Sequence, residues 1–148
     1  MIGVIILAGA GMSLLSHQAP ELGLVDGRLR PCPDSPNCVC SEGSRGDTLH
    51  FIEPISASGM HADVEWKNLI AAIQSQGGEI VQQSETYLHA TFTSSIFRFI
   101  DDVEARLDRD TGLIHLRSAS RVGRSDLGAN RKRIEGVRRV FGGLHVEH

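Results

Sequence analysis

Residues 87–120 read YLHATFTSSIFRFIDDVEARLDRDTGLIHLRSAS, three consecutive segments whose side-chain pattern is that of a β-meander. Leu88, Ala90 and Phe92 alternate with Tyr87, His89, Thr91 and Thr93, the two-residue period of a strand with one apolar and one polar face. The run from Ile96 to Leu107 is predicted as a second strand, with Phe97, Phe99, Val103, Ala105 and Leu107 on one side and Asp101 among them. An acid on an apolar face needs a partner. Asp108–Gly112 is a turn whose glycine accepts a left-handed conformation, so Leu113–Ala119 is predicted to return as a hairpin partner. With Gly112 as the bulge of a three-residue loop, Glu104 falls opposite Arg117.

Working outward, Thr48–Ile52 ends at Pro54 and suggests a first strand, and Glu79–Ser84 suggests another. Between them Ala62, Trp66, Leu69, Ile70 and Ile73 recur at helical spacing, with Ser58 as the N-cap and Gly77 and Gly78 as the stop. Trp66 is expected as a core anchor. The last element is a helix capped by Ser125 or Asp126 and running to Phe141, with Leu127, Ile134, Val137 and Phe141 as its buried stripe. Asn130 projects near the middle of that stripe, flanked by Arg131 and Arg133, while Lys132 and Arg139 point to solvent. The expected fold is α+β: a mainly antiparallel sheet of about five strands with two helices packed on one face. At 148 residues, 47–148 make one α+β domain, large enough for its own core.

Two segments precede it. Residues 1–19 begin MIGVIILAGAGMSLL, without a charged side chain, and read as a signal peptide or membrane anchor. The apolar run Ile2–Leu15 is short for a bilayer-spanning helix. Residues 20–46 are punctuated by proline and glycine and are expected to hold little regular structure. Within them lies CPDSPNCVC, a turn-rich loop that brings Cys32 and Cys38 within bridging range, and export places them where thiols oxidise. A Cys32–Cys38 disulfide is favoured, with Cys40 free or the alternative partner of Cys32. Three thiols plus His50 lack the paired CxxC spacing of a zinc site, so no metal and no cofactor are expected.

The charge distribution supplies the functional clue. Residues 117–148 carry eight basic and three acidic side chains, and residues 1–116 carry seven and fifteen, which together give the net −3. Crowded guanidiniums repel at a cost of several kcal/mol per close pair, so either the acidic part folds back onto them or an external anion sits between them. Nucleic acid is a poor candidate, because the basic segment lacks interleaved aromatic side chains and the leader implies export. His89 and His115 show no nucleophile motif beside them.

CPDSPNCV, YLHATFTSSIFRFIDDVE and IHLRSASRVGRSDLGANRKRIE resemble the blocks of the domain-of-unknown-function family 1499, found in bacterial envelopes and plant plastids. The resemblance implies an anchored or exported domain on the periplasmic side of the cell envelope, without an assigned activity. The family more often has Ser where this chain has Cys40, which supports pairing Cys32 with Cys38. The expected site is a corner formed by Asp101, Asp102, Arg117, Ser118, Ser120, Arg121, Ser125, Asp126, Asn130 and Arg131. It would hold a small anionic or lipid-like ligand without catalysis. Two alternatives are a purely structural ion-pair network in a scaffold domain and a hydrolase using Asp101 or Asp102. Oligomeric state is not legible.

Overall fold

The central hairpin of the sequence is the centre of the sheet. In the computed structural model, which describes residues 12, 14–57 and 61–144, β7 (Ile100–Asp108) pairs antiparallel with β8 (Leu113–Ser120). Glu104 stands opposite Arg117, as expected, although the connecting loop spans residues 109–112 and is one residue longer than anticipated. Gly112 has φ 67° there, and its N–H donates to the Asp108 carbonyl at 2.9 Å.

On the other side of β7 lie β6 (Tyr87–Thr93) and then β5 (Glu79–Gln83). β8 is flanked by β3 (Cys38–Cys40) and β4 (Ile55–Ser56), giving the order β3-β8-β7-β6-β5 with β4 also on β8. The sheet therefore has six strands, one more than anticipated, and all its ladders are antiparallel. β1 (Leu24–Val25) and β2 (Arg28–Leu29) form a separate small hairpin.

Three local expectations change. Thr48–Ile52 is not a strand: Asp47 accepts the His50 N–H through its side chain and the Phe51 N–H through its carbonyl, and this turn outcompetes a ladder. Phe51 keeps a single parallel bridge to Cys40. The strand expected from Ile96 begins at Ile100, because Ser94 closes a loop by taking the Phe99 N–H on Oγ and giving its own N–H to the Phe99 carbonyl. Segment 20–46, despite its prolines and glycines, supplies β1, β2 and the sheet strand β3.

Helices α1 (Ala62–Ser75) and α2 (Ala129–Leu144) pack on the same face of the sheet. Leu69, Ile73, Ile134 and Val137 meet Leu88, Val103, Ile114 and Leu116 there, all fully buried. Trp66 is the core anchor expected of it, and its indole N–H donates to the Ser84 carbonyl at 3.1 Å. Ser58 lies outside the described residues, and His61 at the α1 N-cap makes no side-chain capping bond. Of the two candidates at the start of α2, Asp126 does the capping, accepting the Asn130 N–H at 3.0 Å. Leu127, with φ 53°, turns outward before the helix begins and is 89% exposed instead of joining the stripe. The helix continues through Gly142 and Gly143 to Leu144, a modest propensity cost for each glycine.

Gly78 sits where α1 hands over to β5, and a Cβ on it would lie 2.6 Å from Ile73 Cγ2 and 2.9 Å from Phe92 Cζ. Gly78→Ala is expected to overpack this junction and cost about 1–3 kcal/mol, read as a lower urea midpoint. An unchanged midpoint would contradict the packing described.

Candidate functional site

Strand alternation divides the charged residues between two faces. Asp101 and Asp102 are consecutive, yet Asp101 points towards α2 and Asp102 to the opposite side.

On the helix face the organiser is Asn130, which is fully buried. Its Oδ1 accepts Ser118 Oγ at 2.6 Å and Arg133 Nη1 at 2.7 Å. The two hydrogens of its Nδ2 are shared among the Asn37 carbonyl at 3.1 Å, Ser120 Oγ at 2.9 Å and Asp126 Oδ2 at 2.7 Å. Arg133 continues the chain to Asp101 Oδ2 at 2.6 Å and lies 4.9 Å over the Phe92 ring. Burial pushes the Asp126 carboxyl up, but the backbone and side-chain bonds from Asn130 outweigh it and hold it below the usual range. Every polar atom of the Asn130 amide is therefore occupied, as a buried amide requires.

The opposite face carries a second network beneath the segment that precedes β3, with Glu42 joining it from just past β3. Asp102, 2% exposed, accepts Arg121 Nε at 2.7 Å and Nη2 at 2.8 Å, a bidentate pair. His89 Nε2 lies 2.7 Å from Asp102 Oδ1. Burial raises the Asp102 carboxyl, yet the Arg121 and His89 bonds prevail and keep it below its ordinary value. Two residues further along β7, on the same face, Glu104 accepts the Tyr87 hydroxyl at 2.7 Å and the Gly23 N–H at 2.9 Å, with Arg117 Nη1 at 3.4 Å. Burial, then the Glu104 bond, push the Tyr87 hydroxyl far up, so it stays a donor. Arg106, next along β7, meets Glu42, which also accepts the Leu29 N–H at 2.7 Å. Arg121 Nη1 further donates to the Ser16 carbonyl at 3.2 Å. The polar face expected to meet water is thus a covered layer of charge.

Cys32 and Cys38 are disulfide-bonded with Cα atoms 5.6 Å apart, and Cys40 is free and buried. Burial raises the Cys40 thiol above its ordinary range, which keeps it protonated and unreactive. Among the described residues no cluster of His, Cys, Asp and Glu is arranged to hold a metal ion. No described helix is long and apolar enough to cross a membrane, and most of the run Ile2–Leu15 lies outside the described residues.

Between the N-terminal segment and the β3 end of β8 lies a cleft of about 120 Å³, lined by Pro20, Leu22, Pro33, Asn37, Asp102, Arg117 and Arg121 among others. Arg117 is only 9% exposed, and its Nε has no hydrogen-bond partner among the described residues.

The ten residues anticipated as one corner are therefore distributed. Asp102, Arg117 and Arg121 share the covered charged face, whereas Asp101, Ser118, Asp126 and Asn130 belong to the helix face. Ser120 touches both, bonding Asn130 and lining the cleft. Ser125 stays exposed in the loop. Arg131 turns away to donate to the carbonyls of Thr48, Leu49 and Phe51. Sequence reasoning missed Glu42, Asn37, His89, Tyr87 and Arg133 as partners. Strand parity could have placed His89 and Tyr87 beside Asp102 and Glu104, but nothing local announces Glu42.

Residues 28–141 match the family model described as "Protein of unknown function (DUF1499)", and the chain belongs to that family. The comparison with curated proteins finds no match.

Asp102→Ala strands Arg121 in a covered site and is expected to cost about 3–5 kcal/mol. The folded Asp102 value lies below the ordinary 3.8, so its stabilisation is complete above 3.8 and is lost as pH falls through the folded value. The urea midpoint should fall on that acid limb, and Asp102→Asn should flatten it. An equally steep limb in the variant would mean that other carboxylates carry it.

Proposed function

We propose a non-catalytic, envelope-associated domain that receives the carboxylate or phosphate group of a small anionic or amphiphilic ligand in the cleft beside Arg117. The observation that carries this is the sparse bonding of Arg117, a largely buried guanidinium that makes a single 3.4 Å side-chain bond among the described residues and lines a cleft. An oxygen anion in the cleft beside Arg117 would add charge-assisted bonds to a guanidinium that has so few, each stronger than a neutral hydrogen bond. The cleft volume of about 120 Å³ corresponds to roughly four water volumes at ~30 Å³ each, the size of one anionic headgroup. Pro20, Leu22 and Pro33 give its rim apolar surface suited to the rest of an amphiphile.

This narrows the expected site. Asn130 is fully bonded, Arg133 is engaged through both terminal nitrogens, Arg131 staples backbone carbonyls, and Asp102 with Arg121 is a bidentate pair. The structural-network reading fits those residues and coexists with a ligand at Arg117. A hydrolase using Asp102 gains little support, because a carboxylate held ionised by an arginine and a histidine is a weak general base. Asp101 is likewise tied to Arg133. Envelope location is supported by the uncharged leader and the Cys32–Cys38 bridge.

Calorimetric titration with inorganic phosphate, glycerol phosphate and a short dicarboxylate tests the cleft. Saturable binding by the native chain, lost several-fold in Arg117→Lys with little change in melting temperature, is the expected result, since lysine keeps the charge for Glu104 but loses the fork. Absence of binding by the native chain, or equal binding by the variant, would remove the proposal.

A further inference from the structure

One end of the sheet carries apolar side chains that stand exposed among the described residues. Loop 94–99 leads into β7 and presents Ile96 at 82% and Phe97 at 46% exposure, with Phe97 stacked on Phe99 at 5.5 Å. Loop 121–128 leaves β8 beside it, since the Arg121 N–H donates to the Ile100 carbonyl, and carries Leu127. The chain following the leader arrives at the same end: Ser16 Oγ accepts the Ile100 N–H, and Met12 Cε lies 3.7 Å from the position a Cβ would take on Gly123. Leu14 and Leu15 are themselves exposed.

Two cations punctuate this apolar surface. Arg98 and Arg124 are exposed and form no ion pair among the described residues, in contrast to Arg117, Arg121 and Arg133. Arg98 and Leu127 both hold positive φ, 57° and 53°, a conformation side chains rarely adopt, so the backbone at both tips is fixed in an unfavoured state. Apolar tips with interspersed unpaired arginines match the interface of an anionic bilayer, where apolar groups enter the acyl boundary and guanidiniums meet phosphates.

We propose that this pole, formed by Ile96, Phe97, Arg98, Arg124 and Leu127, is a membrane-contact face that seats the domain on an anionic lipid surface. The occupant is set by continuity: the uncharged run Ile2–Leu15 joins the domain at this end, so a leader held in lipid brings these loops to the same surface. Lipid contact by two loops makes the attachment a two-point one, which restricts tilt and directs the β7–β8 turn away from the membrane. The proposal uses the envelope location argued above, but not the ligand cleft.

The full chain is reconstituted in phosphatidylglycerol-containing vesicles with an environment-sensitive fluorophore on Ile96→Cys, Leu127→Cys or, in the distal β7–β8 turn, Asp110→Cys. Labels at 96 and 127 are expected to shift to the blue and be quenched several-fold more by brominated lipid than the label at 110. Arg98→Glu with Arg124→Glu should weaken that quenching in phosphatidylglycerol but not in phosphatidylcholine vesicles. Equal quenching at all three positions would overturn the proposal. So would a blue shift at 96 and 127 without bromolipid quenching, the signature of a second copy or another protein on the patch. Arg117→Lys should leave the quenching unchanged, which keeps failure here separate from failure of the cleft.

Discussion

The structure depends on how β7 disposes its charges. Asp102, Glu104 and Arg106 occupy alternate positions, so all three project from the same face of a central strand, and the N-terminal segment lies over them. Burying such groups is costly unless each meets a counter-charge and fills its remaining hydrogen-bond positions. Each meets one from elsewhere in the chain: Asp102 from Arg121, Glu104 from Arg117, Arg106 from Glu42. Backbone N–H groups of Gly23 and Leu29 complete the carboxylates, which makes the covering segment part of the charge layer. A sheet with helices on one face and a charged, covered second face follows from that requirement.

The charge asymmetry of the sequence is resolved by folding back. The excess of arginine after residue 117 and the excess of acid before it meet in three pairs across the sheet and helix, Arg117 with Glu104, Arg121 with Asp102 and Arg133 with Asp101. Among the described residues Arg117 is left short of partners, and Arg98 and Arg124 are among the arginines left outside the networks. Those exceptions are where the functional proposals rest, because satisfied groups hold the fold and unsatisfied ones are available to something else.

Most of the architecture was legible. The alternation of Leu88, Ala90 and Phe92, the helical spacing of Ala62 to Ile73 and the Glu104–Arg117 register follow from side-chain periodicity, and the structure reproduces them. The disulfide loop was legible from its prolines and spacing. What escaped was set by tertiary partners. The same parity that placed Leu88 inward implied a wet face for Tyr87 and His89, and only the docking of the segment that precedes β3 covers it. Asp47 and Ser94 overrode strand propensity through local bonds that a periodicity count does not weigh. The site was legible in its residue types but not in its partition, because Asp101 and Asp102 look like a pair in sequence and act on opposite sides of the sheet.

Native-state hydrogen exchange at the Gly23 and Leu29 amides tests the covered charge layer most directly. These N–H groups donate to the covered carboxylates of Glu104 and Glu42, so their protection should approach that of the β7 amides and fall in Glu104→Gln and Glu42→Gln respectively. Exchange of both amides at open-chain rates in the native protein would mean that the segment preceding β3 does not close over the sheet, and would contradict the account at its base.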